Sequence, residues 1–281
     1  MNSIYMVMHQ RKENCEALVR ELVAALHQAG IAVYAEPWLL KRMADVKDVP
    51  LRCGEASQCD CVLSVGGDGT FLRANRTAVK YDLPILGINV GTVGFLAEVE
   101  WEQLSQSCLQ LARDQYQIEE RMMLKAELEG QSWLALNDVV LSRGGYSRLV
   151  GVSASVNGEN AGLYIADGLI VSTPTGSTGY SLSAGGPIVH PEVECILLTP
   201  ICAHSLQHRP VITSAGQRIQ LFLDDEHARS VQGAVDGQQA FTLCPGQRLS
   251  ITRAPKPARF IKTHSQSFFS TIRVKLTEWS R

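Results

Sequence analysis

One short stretch decides the fold of the chain around it: Val62-Leu63-Ser64-Val65-Gly66-Gly67-Asp68-Gly69-Thr70. Its first residues are mostly apolar and β-branched, which predicts a buried strand. The residues from Phe71 to Tyr81 have the pattern of a helix. α/β proteins bind phosphates where a strand, a glycine turn and a helix meet, because glycines allow a close approach and free N–H groups attract an anion. The stretch therefore predicts a phosphate site.

Asp68 distinguishes this turn from a simple phosphate cradle. A carboxylate beside bound phosphates is costly unless it accepts a proton or helps to hold a metal ion. The alternative is structural: a glycine-rich turn in which Asp68 only caps the following helix. The stretch alone leaves both interpretations open.

Composition excludes several classes of protein. The chain has 281 residues and a net charge of -2, so it lacks the basic footprint of a protein that binds nucleic acid or an anionic membrane surface. Its apolar runs are too short for a transmembrane helix, and its first residues do not resemble a signal peptide. The eight cysteines have no Cys-x-x-Cys spacing, which favours reduced thiols over disulfides or a zinc site. We expect a cytoplasmic protein.

Hydrophobic periodicity predicts two domains. A strand from Ile4, an amphipathic helix ending at Gly30 and a second strand to Ala35 form a β-α-β opening, which predicts a parallel, Rossmann-like sheet. From about Gln117 the pattern changes to alternating segments separated by short turns, which predicts antiparallel β-structure. We assign residues 1–115 to an α/β domain and residues 116–254 to an all-β domain. The apolar tail, residues 255–281, is expected to return to the first domain.

A second glycine turn follows the next predicted strand, which ends near Val90. It contains Gly91 and Gly94 and continues through Phe95 to Leu96. Adjacent strand ends of an open parallel sheet line one crevice, so we expect the two glycine turns to lie together. The alternative is an ordinary loop.

Two polar motifs stand out in the β half. Asn137 and Asp138 interrupt an apolar segment that we predict as a single strand from Trp133 to Ser142; buried polar groups need partners, which a base edge or a ribose can supply. An Asx turn or a β-bulge is the alternative. The second motif runs from Asp167 to Pro187 and is dense in hydroxyls and glycines, which suit a ribose, a phosphate or an adenine ring. The segment from Val235 to Gln238 has the pattern of an ordinary hairpin turn.

Taken in order, the glycine-aspartate turn, Asn137-Asp138 and the Asp167-to-Pro187 segment resemble the bacterial NAD kinase family. The first motif alone also resembles diacylglycerol kinases, sphingosine kinases and 6-phosphofructokinases; the segment from Thr173 to Pro187 is much more specific. The resemblance implies an α/β domain, a β domain and a tail that returns to the first. It also implies a homodimer or homotetramer that binds NAD and ATP, without a nucleic-acid or membrane partner.

The resemblance also implies residue roles. Asp68 matches the proton acceptor that activates the 2′-hydroxyl of the adenosine ribose of NAD. The positions that match nucleotide-lining residues are Asp68, Gly69, Arg73, Phe95, Asn137, Asp138, Arg148, Asp167, Thr178, Gly179, Tyr180, Ser181, Leu182, Ser183 and Gln238. ATP would arrive with a divalent cation, Mg²⁺, which binds substrate phosphates and keeps its waters rather than filling a protein cage.

This sequence departs from the family pattern at three positions. Asp138 stands where glutamate is usual, Gly179 where many members have alanine, and Ile165 where many have arginine. Two other functions remain as alternatives. A lipid kinase of the diacylglycerol type would share the glycine-aspartate turn, although the hydroxyl-rich segment disfavours an apolar pocket. A non-catalytic module would bind NAD or NADP without consuming ATP.

Overall fold

A computed structural model describes residues 1–9, 14–46, 49–91, 94–97, 99–144, 149–205, 207–223, 230–264 and 267–278. The chain divides into two compact units. The first comprises Met1–Glu120 and Ala258–Arg281, and the second comprises Arg121–Pro257. The divisions fall a few residues after those assigned from the sequence, at 115/116 and 254/255.

The helices and strands are numbered in chain order. The helices are α1 Cys15–Gln28, α2 Pro37–Met43, α3 Asp68–Lys80, α4 Leu104–Ala112, α5 Tyr180–Ser183 and α6 Phe268–Glu278. The strands are β1 Ser3–Met8, β2 Ala32–Ala35, β3 Leu51–Cys53, β4 Cys61–Val65, β5 Ile85–Asn89, β6 Val99–Glu100, β7 Gln117–Arg121, β8 Leu124–Leu128, β9 Gln131–Ala135, β10 Asp138–Ser142, β11 Val150–Val156, β12 Glu159–Ala166, β13 Gly168–Ser172, β14 Cys195–Ile201, β15 Val211–Ser214, β16 Ile219–Leu223, β17 Val231–Val235, β18 Gln238–Leu243, β19 Leu249–Arg253 and β20 Ala258–Lys262. Short 3₁₀ turns occupy Ala56–Gln58, Trp101–Gln103 and Thr175–Thr178.

The first unit is built on an eight-stranded sheet with the order β3-β2-β1-β4-β5-β20-β7, and β6 also pairs with β5. The pairings of β1 with β2 and β4, and of β5 with β4, β6 and β20, are parallel. Strand β20 comes from the end of the chain and lies between β5 and β7. The predicted α/β fold with a parallel sheet is confirmed, and so is the return of the tail.

Helix α1 shows how the sequence pattern determines packing in this unit. Its buried residues lie three or four positions apart and form one apolar face, which packs in the same core as strands β1, β2 and β4. These buried residues are Cys15, Val19, Leu22, Val23 and Leu26. Every residue of β4 is buried, as expected for a strand covered on both faces.

Helix α3 begins earlier than the sequence pattern suggests. Its first residue is Asp68, whereas the apolar periodicity starts only at Phe71. The turn after β4 is therefore short, and Asp68 lies in the first turn of the helix. This position places its carboxylate where a helix N-terminus favours negative charge.

The second unit contains two antiparallel six-stranded sheets, ordered β15-β14-β13-β10-β17-β18 and β12-β11-β16-β19-β8-β9. Side chains from both sheets form one apolar core, so the unit is a sandwich and the predicted all-β domain is confirmed. The single strand predicted from Trp133 to Ser142 is wrong. It is two strands, β9 and β10, which belong to different sheets and are separated by Leu136 and Asn137.

In helix α6, the burial of the side chains does not follow their polarity. The apolar side chains of Phe269 and Val274 are 70% and 49% exposed, whereas Lys275 is only 7% exposed. None of the helices traced in the described ranges is long and apolar enough to cross a membrane. All eight cysteines fall within those ranges and are free thiols.

Candidate functional site

The first group of candidate residues lies in the first unit, where the two glycine turns meet at Asp68. Its Oδ2 accepts a hydrogen bond from the backbone N–H of Phe95 at 3.0 Å, and its Oδ1 accepts one from Leu96 at 3.2 Å. The carboxylate is therefore held by the second glycine turn. The expected proximity of the two turns is confirmed for the described residues of that second turn.

Gly94 makes this contact possible. A Cβ atom at this position would lie 1.9 Å from Oδ1 of Asp68 and 2.8 Å from its Cγ, so any larger residue would displace the carboxylate. Gly67 and Gly69, which flank Asp68 in the sequence, are exposed. The first N–H groups of a helix lack partners within the helix, and Asp68 and Gly69 occupy these first positions of α3. The turn thus offers anion-binding donors and a fixed proton acceptor side by side.

Arg73 lies one turn further along α3 and already has protein partners. Its Nη1 donates to Oε1 of Glu36 at 2.6 Å, and its Nη2 donates to the backbone carbonyl of Met8. Oε2 of Glu36 accepts a further bond from Nε1 of Trp38 at 3.0 Å. These bonds tie α3 to the end of β1 and to the start of α2. Arg73 therefore stabilises the region around the turn, whatever it contributes to a nucleotide.

The second group lies in the second unit, at the bend between β9 and β10. The carboxylate of Asp236 accepts hydrogen bonds from the backbone N–H groups of Leu136, Asn137 and Asp138 at 3.0, 2.8 and 3.3 Å. The N–H of Asp236 donates in turn to the carbonyl of Asp138 at 3.0 Å. The polar pair is thus fixed by the β17–β18 hairpin, in which Asp236 and Gly237 have φ values of 48° and 72°.

This role of Asp236 is not evident from the sequence. An Asp-Gly pair between two strands is the usual signal for a tight hairpin, and both residues do adopt the left-handed conformation that such a turn requires. Nothing in the sequence indicates that the side chain reaches a segment about a hundred residues away. The only available signal was that a buried polar bend must have acceptors for its N–H groups.

Asp138 is 4% exposed, and its pKa is raised from 3.8 to about 7. Burial is the larger cause, and the negative charge of Asp236 is the smaller one. Near neutral pH, part of the population therefore carries a neutral carboxyl group, which can donate a hydrogen bond. The rest carries a carboxylate, which only accepts. Oδ1 of its neighbour Asn137 is buried and has no hydrogen-bond partner among the described residues.

The hydroxyl-rich segment packs directly on this bend. Oγ1 of Thr173 donates to the carbonyl of Leu136 at 2.6 Å, and the N–H of Thr173 donates to the carbonyl of Asn137 at 2.9 Å. A Cβ atom on Gly176 would lie 2.1 Å from that same carbonyl oxygen of Asn137, so only glycine fits there. The two β-domain motifs predicted from sequence are therefore in contact with each other.

The residues of the hydroxyl-rich segment differ in how accessible their side chains are. Tyr180 is 47% exposed and Ser183 is also exposed, whereas Ser181 is fully buried and its hydroxyl lies 2.9 Å from that of Thr199. Thr178 donates to the carbonyl of Thr175 at 3.1 Å. Ser181 thus supports the short helix α5, in which Leu182 is half-buried.

Gly179 is one of the departures from the family pattern. A Cβ atom here would lie 3.3 Å from the carbonyl oxygen of Gly176 and 3.4 Å from Nδ2 of Asn137. Glycine therefore leaves slightly more room around the amide of Asn137 than alanine would. Gln238 begins β18 beside the Asp236 hairpin and is exposed. Arg148 lies outside the described residues.

Asp167 has a positive partner despite Ile165. Its Oδ1 lies 3.2 Å from Nε of Arg143, and both side chains are partly exposed. The N–H of Arg143 also donates to the carbonyl of Asp167 at 3.1 Å. The charge that an arginine at 165 would supply comes here from the end of β10.

The described residues offer single carboxylates but no cluster of metal ligands. Among them, no three His, Cys, Asp or Glu side chains are grouped so that they could hold a metal ion. Asp68 and Asp138 are each available as a single carboxylate, in separate units.

Comparison with known proteins identifies the family. Residues 4–116 match the model of the ATP-NAD kinase N-terminal domain, and residues 136–263 match the model of the ATP-NAD kinase C-terminal domain. The NAD kinase of Citrifermentans bemidjiense is 40% identical over 92% of this chain and 93% of its own length. The NAD kinase of Lachnoclostridium phytofermentans is 38% identical over 98% of this chain and 99% of its own.

Solved structures agree with these relatives. Yeast NADH kinase, crystallised with NADH, superposes with a TM-score of 0.88 at 25% identity and covers 99% of this chain and 88% of its own. An NAD kinase from Archaeoglobus fulgidus in complex with ATP gives a TM-score of 0.74 at 25% identity and covers 96% of this chain and 98% of its own. With both family models matched in order along one continuous sequence, the chain belongs to the ATP-NAD kinase family.

Proposed function

We propose that the protein transfers the γ-phosphoryl group of ATP to the 2′-hydroxyl of the adenosine ribose of NAD, which yields NADP and ADP. Membership of the ATP-NAD kinase family and the ATP and NADH complexes of the two structural relatives support this reaction. The observation that carries it is the fixed carboxylate of Asp68 beside a glycine turn and a helix N-terminus.

Asp68 is the group that takes the proton. As the 2′-oxygen attacks the γ-phosphorus, its bond to hydrogen breaks and the bond from phosphorus to the ADP oxygen breaks. The hydrogen bonds from Phe95 and Leu96 use one lone pair on each carboxylate oxygen, so each oxygen retains a second one for the proton. Because both oxygens are held, the acceptor is oriented before the substrate arrives.

The phosphate groups of ATP would bind at the N-terminus of α3. In phosphoryl transfer the protein contributes mainly positioning and charge stabilisation. We propose that Gly69 and Phe95 line this site and that Arg73 maintains its shape. The divalent cation, Mg²⁺, enters as part of the ATP substrate, bound mainly by phosphates and water.

NAD would bind to the second unit. We propose that Asn137 and Asp138 hold the dinucleotide, that the Thr178-to-Ser183 segment contacts the adenine and its ribose, and that Asp167 reaches the nicotinamide end. The exposure of Tyr180 and Ser183 and the packing of the segment on Asn137 support this assignment. Arg148 and Gln238 complete the proposed NAD-lining positions.

The decisive experiment is Asp68→Asn, assayed for NADP formation from NAD and ATP. The variant should turn over at least about a hundredfold more slowly, because general-base assistance is lost, while NAD binding measured by calorimetry is retained. Asp45→Asn is the matched control, since Asp45 is an exposed carboxylate of the same unit. Near-normal turnover of Asp68→Asn would exclude the role given to Asp68.

The same assay separates the alternatives. Supplying a lipid diol instead of NAD tests the diacylglycerol-kinase function, and the relatives described above give no support to it. Binding of NAD without ATP consumption would indicate a non-catalytic module. Replacing ATP with polyphosphate, and NAD with NADH, shows which phosphate donors and which acceptors the enzyme uses.

We further propose that the protein is a cytoplasmic homodimer or homotetramer. Free, mostly buried thiols suit a reducing compartment; burial raises the pKa of Cys59 to about 11 and that of Cys108 to about 12. Val193, Val211 and Ile212 are 49%, 43% and 51% exposed, and we expect a second copy to cover such exposed apolar side chains. Light scattering on the purified protein measures the assembly directly.

A further inference from the structure

Lys275 in helix α6 is a cation in an unusual position. Its side chain is 7% exposed, and among the described lysines and arginines it alone is buried this deeply. The same helix leaves Phe269 and Val274 largely exposed. A lysine is seldom fully buried unless it is paired, so an apolar residue would be expected at position 275 and a charged one at position 274.

Among the residues that the structure describes, no carboxylate balances this charge. In the portion of the chain that the structure describes, Lys275 forms no ion pair, and its recorded contact is with an aromatic ring. Its Nζ lies 5.9 Å from the centroid of Phe95. A cation–π contact at this distance is weak and recovers less free energy than a desolvated ammonium loses on burial. The site therefore lacks one negative group.

The ring that Lys275 contacts belongs to the second glycine turn. Phe95 follows Gly94, and its N–H donates to Asp68 at 3.0 Å. Asp68 opens α3, a helix of 13 residues whose N-terminus carries the exposed Gly67 and Gly69. A helix N-terminus and a buried, unbalanced ammonium are thus brought to one turn, and both favour an anion.

We propose that Lys275 binds a phosphate oxygen of ATP, so that helix α6 completes the donor site. This inference rests on the proposed function only in naming ATP as the anion. The ammonium donates a charge-assisted hydrogen bond to the phosphate. By binding a terminal phosphate beside Asp68 it would also offset the charge that spreads over the γ-phosphoryl oxygens during transfer.

The test is calorimetric titration of MgATP, without NAD, into the wild type and four variants. Lys275→Met and Lys275→Gln keep most of the side-chain length and remove the charge, and each should bind MgATP roughly ten- to hundredfold more weakly. Lys275→Arg should recover most of the affinity. Arg273→Met is the matched control, because Arg273 is an exposed cation on the same helix. The KM for NAD should change by less than about twofold in all four variants.

An unchanged MgATP affinity in either folded neutral variant, or an equal loss in Arg273→Met, would overturn the proposal, since the stem of Lys275 would then serve only for packing. If both neutral variants unfold, the wild type still gives an answer. The Lys275 ¹⁵Nζ resonance of the wild type is assigned by its absence from the spectrum of Lys275→Arg. It should shift on addition of MgATP and not on addition of adenosine. The absence of a shift would refute the contact. Wild-type binding of MgATP that depends on Lys275, without NADP formation, would contradict the proposed function and leave this inference intact.

Discussion

At the scale of single residues, Asp68 depends on a residue with no side chain. Gly94 lies against Oδ1 of Asp68, and the next two backbone N–H groups hold the carboxylate. The geometry of the proposed base is therefore set by the second glycine turn as much as by α3. Substitutions in this turn should act on turnover before they act on folding.

Gly94→Ala should lower kcat by about a hundredfold, because the added Cβ displaces the carboxylate of Asp68 and a misplacement of about 1 Å is enough for such a loss. Steady-state assays of NADP formation give kcat, and thermal unfolding monitors the fold. Gly216→Ala is the control, since a Cβ there meets nothing within 4 Å. A Gly94→Ala enzyme as active as the control would contradict this account of Asp68.

Asp138 makes stability depend on pH. Its pKa is about 7 in the folded protein against an ordinary value of 3.8, so between these values the folded chain binds more protons than the unfolded chain. The free energy of unfolding should therefore fall as the pH rises from about 4 to about 7, and this contribution should stop changing above about pH 7.

Asp138→Asn should flatten this dependence, since the amide does not titrate. Urea unfolding of both proteins at pH 5 and pH 8 measures the difference, and the other titrating groups contribute similarly to both. The variant should gain stability relative to the wild type at pH 8. Parallel pH profiles in the two proteins would show that Asp138 does not titrate in this range.

At the scale of elements, the bend between β9 and β10 joins the two sheets of the second unit and is closed by the β17–β18 hairpin. One carboxylate, that of Asp236, serves three consecutive N–H groups of this bend. It takes the place of the strand partner that the backbone lacks where it leaves one sheet for the other.

Asp236→Ala leaves those N–H groups without an acceptor and should destabilise the protein by about 2 kcal/mol or more. Because the bend carries Asn137 and Asp138, the KM for NAD should rise while the KM for ATP stays the same. Asp236→Asn retains one accepting oxygen and should have the smaller effect both on stability and on the KM for NAD. Equal changes in the two KM values would point to general destabilisation instead.

The elements also show what sequence could predict. The β-α-β opening, the change of pattern near Gln117 and the glycine-aspartate turn are local signals, and each corresponds to an observed element. The break at Leu136 and Asn137 could not be predicted, because an apolar run with two polar residues fits one strand as well as two. The Asp236 and Lys275 contacts join residues far apart in sequence, and periodicity carries no information about such pairs.

At the scale of the whole molecule, the first unit is assembled from both ends of the chain. Strand β20 lies between β5 and β7, and its Phe260 and Ile261 are 4% and 1% exposed. The ring of Phe260 packs edge-on against Phe71 of α3 at 4.9 Å. The sheet that carries the glycine turns is therefore incomplete without the last part of the sequence.

Truncation after Pro257 should prevent stable folding of the first unit, since each of these large buried side chains contributes about 2–5 kcal/mol. Truncation after His264 removes only α6 and should preserve the sheet while weakening MgATP binding. Circular dichroism and thermal unfolding distinguish the two truncated proteins. A cooperative, wild-type unfolding transition in the shorter one would contradict the structural role of β20.

The place of β20 also has a consequence for biosynthesis. On the ribosome, the second unit emerges as one uninterrupted segment and can fold as soon as it clears the exit tunnel. The first unit emerges earlier yet must wait until β20 has been translated, because β5 lacks its partner at Ile85 and β7 has no neighbour in the sheet until then. A nascent chain can thus fold its second unit before its first, and a chain terminated before β20 should not transfer phosphate.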